Sequence, residues 1–392
     1  MDLKVTAYRD LDDSRLQRAW TEAVQFNPLT SIFCTREWCM SWAETVGQDA
    51  EPFVLVAESE SHVEGVWPLC IDRSDGVRWV KFMGSDRVKG DHMDFLCDPI
   101  RRDAVGNAFF NFIHQHNDAY GGMLLDGVAC DSMSQRLLSE WAHENRWRTV
   151  EREIQTLPFV QLPETFDAYL STLSHKRRSA IRRSRRKLAE SGGEIRLSWG
   201  KCDLYQVLSE FCRLHAQRWN AAGKKSNFAD LSMRSFLTTF CKHAADQDWF
   251  RAYSLIVKGQ TEGVLLAFHF DRNASFYQIG RDPNSAILNA GMMLMTASIE
   301  QAISESMQRY DFLRGDESYK SRLAKSRSTQ STVMIGFRRP ATTVIAKEQM
   351  SQRMKRLAQR MLGDERWSKL KDRLRNRPAA GRVRAESAEG AN

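Results

Sequence analysis

Residues 250–282, FRAYSLIVKGQTEGVLLAFHFDRNASFYQIGRD, decide the fold class. Three runs rich in apolar and aromatic residues, FRAYSLIVKG (250–259), TEGVLLAFHF (261–270) and ASFYQIGRD (274–282), are separated by short polar breaks. That pattern predicts a meander of strands. A helix over about 290–307 and a strand in RYDFLRG (309–315) extend it into an α/β unit. The same order stands earlier in the chain. PFVLVAESE and VEGVWPLCIDR, with a turn around Ser59–His62, and VRWVKFMGS read as strands, followed by a helix at 101–117, a strand at 121–127 and a helix at 131–146. Before each meander come helices, within 11–48 in the first half and at about 203–219 and 231–245 in the second. The fold class is therefore α/β (α+β): two domains of similar build, 1–160 and 161–340, each a mostly antiparallel mixed sheet flanked by helices. TVEREIQTLPFVQL (149–162) is strand-like and leads into the linker between them. Residues 341–392 form a basic helical tail, expected to be disordered after about 378.

The chain has 392 residues, 42% hydrophobic and 27% charged, which fits two globular domains rather than a disordered chain. Its eight cysteines form no C-x-x-C pair and have no histidine at zinc-finger spacing, so neither a metal site nor a disulfide is expected. The start, MDLKVTAYRD, lacks a signal peptide's basic and apolar regions. No run reaches the length of a membrane span. The expected localisation is cytoplasmic.

The formal charge of +8 is unevenly spread. Residues 174–187, SHKRRSAIRRSRRK, hold eight Lys/Arg and no acid, and 341–392 hold thirteen Lys/Arg against six Asp/Glu. The rest is mildly acidic. Each basic element suits an anionic partner: phosphate, membrane surface or nucleic acid. Little aromatic interleaving argues against a base-stacking platform. In the tail, Met350, Met354, Leu357 and Met361 form an apolar stripe among Arg353, Lys355, Arg356 and Arg360. The stripe either packs on the body or meets a membrane surface or partner.

Candidate chemistry concentrates in the second half. In YQIGRDPNSAILNAGMMLMTASIEQAI (277–303) a strand ends in a polar loop, and a helix starts near Ala290, Gly291 and Met292. The first-turn N–H groups of such a helix can hold a diphosphate, although the segment also reads as an ordinary loop-to-helix start. Then comes DFLRGDESYK (311–320), at the carboxyl end of a strand, where ligands gather in α/β sheets. It is the rim of a reaction site or a salt-bridged turn. As a rim, Lys320 would stabilise an oxyanion, Asp311 or Glu317 would accept a proton, and Tyr319 would give one to a leaving group.

At these residues the chain resembles the CelD/BcsL group of GNAT acyltransferases, which in turn is similar to the Fem-type aminoacyl transferases. The matching pieces are FCTREWCMSWAETVG, GVWPLCIDR and FMGSDRVKGDHMDFL in the first half. In the second they are LSHKRRSAIRRSRRKL, FCRLHAQRW, GVLLAFHF, FYQIG, LNAGMMLMTASIEQA and YDFLRGDESYK. Together they cover most of residues 30–340. The resemblance implies tandem GNAT-like domains, with the second the better-kept acyltransferase domain, in a polysaccharide or cell-envelope pathway such as cellulose biosynthesis. Lys176 and Arg178, before Ile181, fit the K-x-R pair that helps hold substrate phosphates in Fem-type relatives, and Tyr319-Lys320 fits their reaction centre. The usual diphosphate loop, R/Q-x-x-G-x-G/A, is absent before the 290–307 helix.

These readings converge on acyl transfer from acetyl-CoA or another acyl-CoA co-substrate, with no permanently bound cofactor, to an amine or hydroxyl on a sugar-linked precursor. The expected catalytic residues are Lys320, Glu317, Asp311 and Tyr319. Lys176, Arg178, Arg314 and Asp94 would bind acceptor in a cleft between the domains. Asp94, in GDHMDF, either closes that cleft or is a strand-end acid. Ala290, Gly291 and Met292 would take the donor. An aminoacyl-tRNA donor is one alternative. The other is a non-enzymatic adaptor whose basic helix and tail bind membrane or nucleic acid.

Overall fold

The computed structural model describes residues 3–363, apart from 27–30, 61, 131, 286, 288, 316 and 318 and the side chain of residue 153. The first half runs β1 (Lys4–Tyr8), α1 (Ser14–Phe26), α2 (Arg36–Ala43), β2 (Glu51–Ser59), β3 (His62–Ser74), β4 (Val77–Phe82), β5 (Leu96–Cys97), α3 (Arg102–Gln115), β6 (Gly122–Ala129), α4 (Met133–Glu144) and β7 (Arg148–Gln161). The second runs α5 (Phe166–Thr172), α6 (His175–Glu190), β8 (Glu194–Trp199), α7 (Leu204–Ala221), α8 (Leu231–Asp246), β9 (Phe250–Val257), β10 (Gln260–Phe270), β11 (Asn273–Arg281), α9 (Ala290–Ser304), β12 (Arg309–Asp311), α10 (Lys320–Leu323), β13 (Ser326–Gly336) and α11 (Arg339–Leu362). Apart from β5 and the helices that open the second half and close the chain, the order repeats: strand, helix pair, three-strand meander, helix, strand, helix, strand.

The strands form one sheet in the order β1-β2-β3-β4-β6-β13-β7-β12-β11-β10-β9-β8, with β5 beside β3. Pairing is antiparallel except for β4 with β6 and β11 with β12. The two halves exchange their closing strands. β7 follows β6 in the chain but pairs with β12 and β13, and β13 pairs with β6 and β7. Residues expected to lead from a strand into a linker are thus a 14-residue strand in the middle of the sheet. Hydrogen-bonded neighbours on both sides supply the reason. β1 precedes the helices expected within 11–48 and was not among the expected strands, because its five residues give too short an alternation to stand out.

One buried cluster spans both halves. At its centre Trp38, on α2, meets Phe33 edge-on at 4.7 Å and the rings of Phe236 and Phe240, both on α8, at 4.8 Å. Such contacts add roughly 0.5–1.5 kcal/mol each beyond area burial. A second cluster lies under α5, α6 and α9 and includes Tyr169, Ile181, Leu188, Tyr310 and Phe312.

Helix α11 packs only at its start, where Ala341 and Ile345 join Val77, Trp79, Val150 and Met334. Farther on, Gln349 and Gln352 donate to the carbonyls of Thr149 and Glu151 at 2.8 and 3.0 Å. Met350, Met354, Leu357 and Met361 are 61–80% exposed, so the packing expected for that stripe stops before it begins. The expected disorder after residue 378 lies outside the described residues. Among the described residues no helix is long and apolar enough to cross a membrane.

Candidate active site

The site begins where two parallel strands part. β11 and β12 are paired only from Asn273↔Arg309 to Ser275↔Asp311, while β11 runs on along β10 to Arg281. The chain leaves β12 because Leu313 takes a left-handed conformation (φ 55°), with its N–H donating to Asp311 Oδ1 at 2.8 Å. A non-glycine residue held there is strained, a feature common at functional sites. Gly315 (φ 130°) continues the turn, and a Cβ there would come within 2.8 Å of Lys320 Nζ.

Two adjoining cavities open at this wedge. The larger, about 340 Å³, is lined by Arg177, Arg218, Arg281 and Arg322, by the start of α9 at Ala290, Gly291 and Met292, and by Tyr319. The smaller, about 110 Å³, shares Arg218 and Tyr319 and reaches Lys320, Glu317, Arg314, Asp91 and the rings of Phe276 and Phe312. Helix α7 brings Arg218 to the wedge because Gly280 lets it lie close: a Cβ on Gly280 would meet Phe211 O at 2.7 Å. Arg218 then donates to Ile279 O at 3.2 Å.

The larger cavity is built for an anion. Among the described residues no carboxylate lines it, and none of its four arginines is in an ion pair with one. Helix α9 starts from a left-handed Asn289 (φ 64°) with no side-chain cap; Met292 N–H donates to Asn289 O at 2.9 Å, and no described side chain caps the N–H of Ala290 or Gly291. The reactive end is different. Lys320 is 3% exposed, and its Nζ donates to Arg314 O at 2.8 Å and Leu313 O at 3.4 Å and meets Glu317 Oε2 at 3.0 Å. Glu317 itself is exposed. Burial pushes the Tyr319 phenol up, with Glu317 adding to the shift, so the hydroxyl keeps its proton at neutral pH.

Of the other expected site residues, Arg314 lines the smaller cavity and the rest lie outside both. Arg314 is committed to the body: its Nε meets Asp91 Oδ1 at 2.5 Å, its Nη1 meets Asp126 Oδ2 at 3.1 Å, and its Nη2 donates to Gly90 O. Burial opposes its charge, and the two carboxylates outweigh that and raise its pKa. Asp311 contacts His92 Nε2 at 3.0 Å and Arg309 Nη2 at 2.8 Å. Burial alone would raise its pKa, but His92, Arg309 and the Leu313 N–H hold it down at about 2. Asp94 pairs with Arg102 at 2.7 Å. Asp94 and Asp311 line a third cavity of about 300 Å³. On α6, Lys176 is exposed, while Arg178 donates to the carbonyls of Ser171 and Leu173 at 3.1 and 2.7 Å.

It is Arg177, between those two, that reaches the larger cavity. The helical period carries that signal: Arg177 lies four residues before Ile181 on the buried stripe that continues through Ser184 and Leu188. Arg218, Arg281 and Arg322 gave no such signal, because three separate elements bring them together.

Residues 175–321 match the family model described as "Acetyltransferase (GNAT) domain". No curated protein matches the sequence significantly. Among solved structures the chain is similar to FemX, at 8% identity and a TM-score of 0.62 over 85% of this chain and 97% of that one. It is also similar to the C-terminal domain of a putative lysylphosphatidylglycerol synthetase from Agrobacterium fabrum (9% identity, TM-score 0.51, 84% and 94% covered). A third is L-PGS from Bacillus licheniformis (11%, 0.51, 86% and 96%). At these identities the structures share a fold. Residues 175–321 hold the β11/β12 wedge, the start of α9 and Tyr319-Lys320, and with that match the chain is a transferase carrying a GNAT acetyltransferase domain.

Proposed function

We propose that the chain transfers an acyl group from an acyl-CoA thioester to a hydroxyl or amine on a sugar-linked, polysaccharide or cell-envelope precursor. One observation carries the donor half: four arginines, without carboxylate partners among the described residues, share one cavity with a helix start that no side chain caps. A diphosphate there takes charge-assisted hydrogen bonds from both. The thioester then enters the wedge beside Tyr319 and Lys320. The acceptor attacks the carbonyl carbon, the C–S bond breaks, and the Tyr319 phenol protonates the departing sulfur. Lys320 faces the oxyanion. Glu317 is a candidate base at the rim. The sugar-linked acceptor is supported by the resemblance to the CelD/BcsL group.

An aminoacyl-tRNA donor is the second reading, favoured by the missing R/Q-x-x-G-x-G/A loop before α9. A thermal-shift and calorimetric screen with CoA, acetyl-CoA and longer acyl-CoAs separates the two. Ligand at 100 times its Kd stabilises by about 2.7 kcal/mol. Arg177→Ala should weaken CoA roughly tenfold or more, the loss expected for a hydrogen bond to a charged group. No shift with any CoA species defeats the acyl-CoA reading.

Two coarser features belong to the same proposal. Residues 1–160 and 161–340 are two GNAT-like units that exchange closing strands. The exposed apolar stripe of α11, flanked by Arg353, Lys355, Arg356 and Arg360, suits peripheral contact with an anionic membrane.

A further inference from the structure

The third cavity is not used by the donor. It is lined by residues of both halves, including His92, Asp94, Asn273, Ser275, Arg309 and Asp311. Its position relates it to the wedge. Ser275↔Asp311 is the last pair before β11 and β12 part, and Phe276 and Phe312, the next residues on each strand, line the smaller donor-side cavity. Successive strand residues point to opposite faces, so the third cavity lies across the sheet from the smaller one, at the same parting of β11 and β12.

Its polar groups fall into two kinds. The carboxylates are already matched, Asp311 by Arg309 and His92 and Asp94 by Arg102. Among the described residues the remaining polar lining is neutral, from Ser31, Ser132, Asn273 and Ser275, and Phe270 adds an apolar wall. Neutral donors and acceptors beside an aromatic face suit a polyhydroxylated ring better than a phosphate or carboxylate. His92 differs from the rest. Its side chain is 27% exposed, and Nε2 is held 3.0 Å from the buried Asp311 carboxylate. That contact fixes the tautomer with the proton on Nε2, leaving the Nδ1 lone pair to accept one. Burial works against charge on the ring, Asp311 outweighs it, and Asp91 adds in the same direction while Arg309 opposes. Asp91 is itself shared with Arg314.

We propose that this cavity is the acceptor site for a neutral, sugar-like polyol, with His92 as general base and Asp311 as its positioning residue; this rests on the acyl-CoA reading above. The acceptor O–H gives its proton to His92 Nδ1 as the new C–O bond forms. The C–S bond breaks, the sulfur takes the Tyr319 proton, and the two side chains exchange protons with solvent. Acceptor and donor then meet from different cavities at the parting of one strand pair.

The test uses the full chain with acetyl-CoA and a panel of methyl hexopyranosides, reading CoA release by chromatography. Calorimetry with CoA runs alongside. Wild type should release CoA above the enzyme-free rate, faster with a hexoside than with water. The rate should rise with pH as His92 loses its proton. His92→Gln should lose about 10²–10⁴-fold in rate together with that pH limb, at unchanged CoA affinity and melting temperature. Asp311→Asn should move the limb to lower pH, because the charge that raises the His92 pKa is gone. Asn273→Phe narrows the cavity without touching the dyad and should abolish the hexoside effect, even if Asp311→Asn does not fold. Absence of CoA binding to wild type overturns the donor reading. CoA binding without enzyme-dependent release, an H92Q enzyme that keeps its rate and pH limb, or an N273F enzyme with an intact hexoside effect overturns the acceptor site.

Discussion

Arg314 offers the sharpest test of how the two halves are joined. It leaves the wedge turn of the second half and ends among residues of the first. The backbone N–H bonds Asp91 Oδ2 at 2.9 Å, Nε meets Asp91 Oδ1 at 2.5 Å, Nη1 meets Asp126 Oδ2 at 3.1 Å, and Nη2 donates to Gly90 O at 2.6 Å. Side-chain exposure is 15% for Arg314 and 1% for Asp91, so water cannot replace the guanidinium. Arg314→Met keeps much of the aliphatic stem and strands the Asp91 carboxylate with Gln330 as its remaining side-chain partner. Breaking a buried pair in this way costs about 3–5 kcal/mol. Urea unfolding, read at constant slope, should show that loss. Adding Asp91→Asn to Arg314→Met should recover part of it, because the stranded charge is then gone. A loss under about 1 kcal/mol, or no recovery in the double variant, refutes the reasoning and returns Arg314 to the list of substrate ligands.

Other perturbations separate chemistry from stability. Lys320→Ala leaves the carbonyls of Leu313 and Arg314 without that donor, at a cost of roughly 1–3 kcal/mol, whereas its turnover should fall about 10²–10³-fold; equal activity in a folded variant removes Lys320 from the mechanism. Asp311 and Glu305 are both held at about 2, each against burial, by His92 and Arg309 and by His269 and Arg251 respectively. A depressed carboxylate stabilises above its ordinary pKa and loses that contribution as pH falls through the folded value. Stability measured by denaturant melts should therefore fall between about pH 4 and 2, by roughly 2 kcal/mol per group; a flat profile there contradicts both assignments. The double variant Met354→Ser/Leu357→Ser should change stability by under about 0.5 kcal/mol, because both side chains are exposed. It should weaken sedimentation with phosphatidylglycerol vesicles roughly tenfold or more; unchanged sedimentation rules out that face.

Much of the architecture was legible because it rests on local pattern. The meander 250–282 and its earlier counterpart at 52–85 are apolar runs set off by short polar breaks, which can be read directly, and the helices between them carry apolar stripes. The strand exchange was not legible. β7 read as strand-like, but which strand it pairs with depends on contacts across more than 150 residues, which no local spacing encodes. The α9 start was legible as a loop-to-helix junction with glycine, and it does line the larger cavity. The arginines around it were not, since Arg177, Arg218, Arg281 and Arg322 come from α6, α7, β11 and α10. For Arg314 and Asp311 the residue type suggested chemistry. Only burial and partners reveal that one is bound between two carboxylates and the other between an imidazole and a guanidinium. His92 went unread because a lone histidine in a loop carries no spacing, and its partner lies 219 residues away.

The most direct test of the central claim is a crystal structure with CoA bound. Diphosphate density is expected against the backbone N–H groups of Ala290 and Gly291, within hydrogen-bonding reach of Arg177 and Arg281, with the thiol directed into the β11/β12 wedge beside Tyr319. CoA seated elsewhere, or that cavity empty at saturating CoA, contradicts it.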